Sequence, residues 1–245
     1  MRVETYLSAH EADAAQIADG TAVVIDVIRA TSTIVEALAS GARAVYPTLS
    51  SEEAIRLVNS LGREDTLLCG ERKGLRIEGF DLGNSPREFT PDRVSGKRIV
   101  MSTTNGTRAF LAAEGADRVL AASFLNLSAV GEAVSDSERI VLVCAGKEGR
   151  FSLDDGLCAG SILQGLSGEG DDRPSNDWRL DDASKSMLAL VKAHNIAPDL
   201  LRETAAGTAL VEIGLEADLE RCADVDRYQL VPEMHDRMIS LLEEG

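Results

Sequence analysis

The sequence lacks any apolar run of the ~18 residues needed to cross a bilayer. Its amino-terminal stretch, Met1 to Leu7, has no basic segment leading into a long apolar one. Neither a membrane span nor a secretory signal is therefore expected, and a cytoplasmic compartment is. Histidine is scarce: only His10, His194 and His235 occur, and no Ser–His–Asp arrangement suggests itself. His10 and His194 are expected in ordinary helical settings and His235 on an exposed carboxyl-terminal helix. The four cysteines, Cys69, Cys144, Cys158 and Cys222, are far apart and never form a CxxC pair. That spacing argues against zinc and against a disulfide framework, and it fits a reducing compartment. Positive charge is also short, with 25 Lys and Arg against 41 Asp and Glu, a formal net charge of -16. Such a surface repels nucleic acid and anionic membranes. The acidity serves general solubility or a salty cytoplasm in which the field is screened, and composition alone does not choose between them.

What is present belongs to an ordinary globular protein, 44% hydrophobic and 27% charged. A chain of 245 residues suffices for one large α/β core or two small ones. Short β-branched runs alternate with helical patterns. Thr21 to Asp26 predicts a buried strand, feeding a helix over Thr31–Ala39 that Gly41 stops. Ala42–Tyr46 predicts a strand, and Ser50 caps a helix carrying Ile55, Leu57 and Val58. Further strands are expected at Thr66–Cys69, Arg98–Ser102, Arg118–Ala122 and Arg139–Val143, with helices at Asn105–Ala113 and Leu127–Val134. The last third is mainly helical, with a helix over Ala183–Ala193, an exposed polar insert over Gly165–Asp177 and a returning strand over Arg227–Val231. Phe110, Phe124 and Trp178 are packing residues. The alternation implies a three-layer α/β/α fold with a largely parallel or mixed sheet, whose ligand sits at the carboxyl ends of the strands. The strand–polar loop–helix pattern around Asp26 recurs around Thr103. One unit over 1–245 is expected, with 1–95 and 96–245 as candidate similar halves.

Four segments carry candidate chemistry. In Val24 to Thr33 a carboxylate, Asp26, ends a hydrophobic strand and can hold Mg²⁺. Arg29 can grip an anion bidentately, and Thr31, Ser32 and free amides at the helix mouth suit one too. The same pattern would arise if Asp26 and Thr31 merely capped a turn and Arg29 paired with a surface acid. The long irregular stretch Gly70 to Pro91 holds Glu71, Arg72, Lys73, Asp81, Asn84 and Ser85 on a glycine-punctuated loop. Ser102 to Arg108 gathers hydroxyl and amide donors around Gly106 at a helix start, without the lysine or spacing of a Walker loop. Cys144 to Gly156 offers Asp154 and Asp155 as oxygen ligands or a proton donor. There Cys144 and Arg150 have the six-residue spacing of cysteine-dependent phosphatases, although a small buried Cys ending a strand gives the same match.

These four segments, in this order, resemble the 2-phosphosulfolactate phosphatase family, and the tail from Gly207 through Asp218 to Pro232 matches more loosely. The resemblance spans nearly the whole chain. It implies a Mg²⁺-dependent phosphoric monoester hydrolase that cleaves 2-phospho-3-sulfolactate in a sulfonate branch leading to coenzyme M. It also implies catalytic roles for Asp26, Arg29 and Asp155 and metal ligation by Asp26, Asp81 and Asp155. Substrate binding would fall to Ser32, Arg72, Asn84, Ser85, Thr104, Asn105, Gly106 and Thr107, with the sulfonate on Arg72 or Lys73. The expected partner is a small anionic phospho- or sulfo-acid, and a homodimer stays open. Ala205-Ala206-Gly207-Thr208 departs from this picture, because more polar substrate contacts are expected there; the exact substrate is open. Two other readings remain: a metal-independent phosphatase using Cys144 and Arg150, and a non-catalytic binder of small anionic metabolites.

Overall fold

The computed structural model describes residues 1–167 and 178–241. In chain order the strands are β1 (Arg2–Tyr6), β2 (Thr21–Ile25), β3 (Ala44–Pro47), β4 (Thr66–Arg72), β5 (Leu75–Arg76), β6 (Arg98–Ser102), β7 (Arg118–Ala122), β8 (Arg139–Cys144), β9 (Arg179–Leu180), β10 (Pro232–His235) and β11 (Met238–Leu241). The helices are α1 (Ala14–Ile17), α2 (Ala30–Ala39), α3 (Ser51–Leu61), α4 (Pro91–Val94), α5 (Gly106–Ala112), α6 (Leu127–Val134), α7 (Leu153–Leu166), α8 (Asp182–Lys192), α9 (Pro198–Glu203), α10 (Ala205–Glu212) and α11 (Ala217–Cys222).

The short apolar runs become strands buried on both faces, and side-chain alternation divides each between two cores. On β2, Ala22 and Val24 face one core while Val23 and Ile25 face the other. On β8, Val141 and Val143 join the first and Ile140, Leu142 and Cys144 the second. The first core is closed by α2 and α5 through Ile34, Leu38 and Phe110, the second by α6, α7 and α8 through Val130, Leu157 and Met187. Each fully buried Val, Leu or Ile contributes about 1.5–3 kcal/mol. The result is a sheet with helices on both faces, the expected three-layer α/β/α arrangement.

The strands form one mixed sheet in the order β5-β4-β6-β3-β11-β10-β7-β2-β8-β1-β9. The β4-β6-β3 and β7-β2-β8-β1-β9 runs pair in parallel. Between them stands the antiparallel β10–β11 hairpin, which joins the flanking runs through Glu233 opposite Leu120 and Ile239 opposite Val45. The chain crosses between the runs more than once: β1 and β2 lie with β7 and β8, not with β3 to β5.

Several elements differ from expectation. Residues 227–231 are not a strand; the strand starts at Pro232, and the region expected as a helix around His235 is the hairpin. Its turn places Asp236 and Arg237 at φ 48° and 61°, a pairing geometry that hydrophobic periodicity does not signal. Proline at the first strand position loses no ladder hydrogen bond. The irregular stretch from Gly70 begins with the last residues of β4 and turns back as β5. His10 lies in a turn. Of the expected polar insert, 165–166 belong to α7, and 168–177 lie outside the described residues. Among the described residues no helix is long and apolar enough to cross a membrane.

Candidate active site

The carboxyl ends of β2, β4, β6 and β8 meet around a cavity of about 470 Å³. They meet because α5, leaving β6, packs against β2 and α2. That approach needs a glycine: a Cβ on Gly106 would stand 2.5 Å from the Ala30 Cβ and 2.8 Å from Asp26 Oδ2. Gly70 likewise lies against Ser102, where a Cβ would be 2.2 Å from the carbonyl oxygen.

Side chains then stitch the loops together. Glu71 accepts the Thr104 N–H on Oε1 and the Gly74 N–H on Oε2, both at 2.7 Å. The Gly74 carbonyl accepts an Arg29 N–H at 2.6 Å, and Arg29 also donates to Asp218 at 2.7 Å. Asp218 takes the Ser85 hydroxyl on its other oxygen at 2.6 Å. Thr33 donates to the Asn84 carbonyl at 2.9 Å. On the far side, Asp155 accepts the Val27 and Gly146 N–H groups, each at 2.9 Å, which ties the β2 and β8 loops together.

The cavity wall carries both signs of charge. Asp26, Glu71, Asp154 and Asp155 supply buried carboxyls, and Arg29, Arg72, Lys73 and Lys147 supply cations. Burial, opposed by the Ala30 amide and reinforced by Asp154 and Glu71, pushes the Asp26 carboxyl up to about 7. Asp154 is also raised by burial, against the Ser152 hydroxyl that donates to it. Asp155 is raised well above its ordinary range by burial and by Asp154 and Asp26. Mutual repulsion adds to burial in opposing the ionisation of Asp26 and Asp155 together. One side of the wall is apolar: Ala206, Ala209 and Leu210 from α10, and Ile213 just after it.

Of the residues expected at the site, Asp26, Arg29, Arg72, Asn84, Thr104, Asn105 and Asp155 line the cavity. Asn84 is buried, and its side-chain Oδ1 has no hydrogen-bond partner. Asp81 is not brought there. Its carboxylate turns back to accept the Leu68 N–H at 2.7 Å and pairs outward with Arg63 at 3.1 Å. Ser32 and Ser85 are buried beside the site but donate to the Val27 carbonyl and to Asp218. Thr31 closes a turn on the Asp26 carbonyl. The expected anion cradle is partly engaged already, since the Thr104 amide goes to Glu71 and the Thr107 amide to Thr103 Oγ1. Gly106 serves close packing and is not among the lining residues. Cys144 is buried under the site and does not line it. Burial and then Asp155 push its thiol well above the ordinary range, the reverse of a nucleophilic cysteine. Arg150 is exposed.

Asp154, expected from the sequence as an oxygen ligand or proton donor, lines the cavity; Glu71 and Lys147, which lie in the same candidate segments but were assigned no role, line it too. Asp218 had no local signal, because its partner Arg29 is 189 positions away.

A model of the 2-phosphosulfolactate phosphatase family matches residues 6–237. The chain belongs to the 2-phosphosulfolactate phosphatase family. Membership places it among phosphoric monoester hydrolases. Relatives described as probable 2-phosphosulfolactate phosphatases align along almost their whole length. One, from Caldanaerobacter subterraneus subsp. tengcongensis, is 40% identical, covering 96% of this chain and 95% of the relative. Another, from Clostridium acetobutylicum, is 39% identical over 95% of this chain and 97% of its own. A third, from Symbiobacterium thermophilum, is 42% identical over 94% and 97%.

Proposed function

We propose that the protein hydrolyses the phosphate monoester of 2-phospho-3-sulfolactate, or of a related small phosphorylated hydroxy acid, with Mg²⁺ as cofactor. The carrying observation is a cavity whose wall brings buried carboxyls together with Arg29, Arg72, Lys73 and Lys147. The names of the relatives support the substrate.

The residues fit a hard divalent cation. Among the described residues no group of three acidic, histidine or cysteine side chains forms a ready-made metal cage. Mg²⁺ does not need one, because it is commonly held by one or two carboxylates with phosphate oxygens and water completing its shell. Asp26, whose carboxyl is raised to about 7 first by burial and then by Asp154 and Glu71, would hold the ion as a carboxylate, giving up its proton as the ion binds. When bound, the ion would neutralise charge on the phosphoryl oxygens.

The chain's own groups do the rest. Arg29 and Arg72 take the phosphoryl and acid oxygens, while Lys73 and Lys147 offer point charges to the second anionic end. Water adds to phosphorus as the ester P–O bond breaks. The buried Asp154 carboxyl gives its proton to the departing alkoxide oxygen and regains one from the attacking water. The α10 wall keeps bulk water from that side.

The test is phosphate release from 2-phosphosulfolactate with and without Mg²⁺. Turnover should require the ion, and Asp154→Asn should lower it by about a hundredfold or more in folded protein. An unchanged rate in Asp154→Asn would remove the proton role, and absence of turnover across small phosphorylated hydroxy acids would remove the function.

A further inference from the structure

Arg29 reaches the cavity, yet the carboxylate paired with it lies outside. Its guanidinium donates to Asp218 Oδ2 at 2.7 Å and to the Gly74 carbonyl at 2.6 Å. The two side chains of the pair are 3% and 2% exposed. Asp218, on α11, does not line the cavity. A guanidinium is a rigid planar fork, so two bonds on different nitrogens determine its plane and leave its other donors for a ligand. The same carboxylate holds the Ser85 hydroxyl on Oδ1 at 2.6 Å, next to Asn84, which lines the cavity. One group therefore orients two ligand-facing elements drawn from the β2–α2 and β5–α4 connections.

Stability alone gives little reason for such a pair. Two charges taken out of water gain little net energy, and packed apolar side chains of similar size commonly do as well or better. Orientation is what a buried, two-sided carboxylate supplies that an apolar pair does not.

We propose that Asp218 is a positioning residue for the anion site: without touching substrate, its two oxygens set the Arg29 guanidinium and the Asn84–Ser85 segment against the bound phosphate. This rests on the cavity being the anion site. It goes further in assigning specificity for the oxyanion to a residue in the last thirty positions of the chain.

The experiment reads inorganic phosphate affinity by calorimetry, alongside thermal unfolding, so that it does not depend on turnover. In folded Asp218→Asn and Asp218→Glu, phosphate should bind about tenfold or more weakly than in the wild type. The second variant keeps the charge but shifts it by one methylene, and it serves if the first fails to fold. Arg29→Ala should lose phosphate affinity, and millimolar guanidinium should restore part of it only while Asp218 is present. Unchanged phosphate affinity in a folded Asp218 variant, or equal guanidinium rescue in Arg29→Ala and Arg29→Ala/Asp218→Asn, would overturn the assignment. A wild-type protein that binds phosphate but cleaves no ester would overturn the proposed hydrolysis and leave this comparison decisive. One that binds no phosphate would overturn both.

Discussion

The carboxylate of Glu71, at the end of β4, accepts the amide of Thr104, in the loop just past β6, at 2.7 Å. Its other oxygen holds Gly74, so a single side chain joins two strand ends and the tip of the β4–β5 turn. Glu71 is buried, and its charge adds to the pressure that keeps Asp26 protonated. In Glu71→Gln one of the two amides would face an NH₂ group instead of an acceptor. That should cost about 1–3 kcal/mol of stability, measurable by urea unfolding, and should weaken substrate binding through the displaced Thr104 loop. A variant with wild-type stability and KM would show that the contact holds nothing in place.

The raised carboxyl of Asp26 makes stability depend on pH in a definite direction. The folded metal-free protein keeps this proton up to about pH 7, while the unfolded chain releases it near 3.8. Between those values the folded state binds more protons, so stability is fully present below the lower value and falls as pH rises to the higher. The slope from this one group is about 1.4 kcal/mol per pH unit. Asp154 and Asp155 act in the same sense. Urea midpoints of wild type and Asp26→Asn, compared from pH 4 to 8, should diverge across that window in favour of the variant. Midpoints that stay parallel would contradict the buried, protonated Asp26.

Gly106 offers a steric test. A methyl group there meets the Ala30 side chain at 2.5 Å and Asp26 Oδ2 at 2.8 Å, so Gly106→Ala must push α5 away from α2 or turn Asp26 aside. Overpacking of this kind costs about 1–3 kcal/mol. Turnover should fall more than stability, because Asp26 is displaced directly. Thermal melts and kcat/KM measured together separate the two effects.

Cys144 should be dispensable for chemistry. Its thiol is buried and held protonated by burial and Asp155. Cys144→Ser should therefore keep turnover within about twofold, at a modest stability cost from a hydroxyl placed in an apolar site. Wild-type turnover that survives EDTA but is abolished in a well-folded Cys144→Ser would restore the thiolate mechanism.

The sequence by itself determined the layered α/β plan, because continuous apolar runs five or six residues long can be buried only between two helical layers. It also placed Asp26, Arg29, Thr104 and Asn105 at strand ends, since a polar residue after a buried strand must emerge at a sheet edge. Only tertiary structure decided which acids serve the cavity. Asp81 and Asp154 are equally acidic in sequence, but one turns back to a β4 amide and the other lines the cavity. Local pattern carries no information on such a choice, because it depends on which backbone donors lie within reach. The Asp218–Arg29 pair was hidden for the same reason, as was the β10–β11 hairpin in the middle of the sheet. Contacts between residues far apart in the chain are fixed by packing, and periodicity records only what a segment buries, not against what.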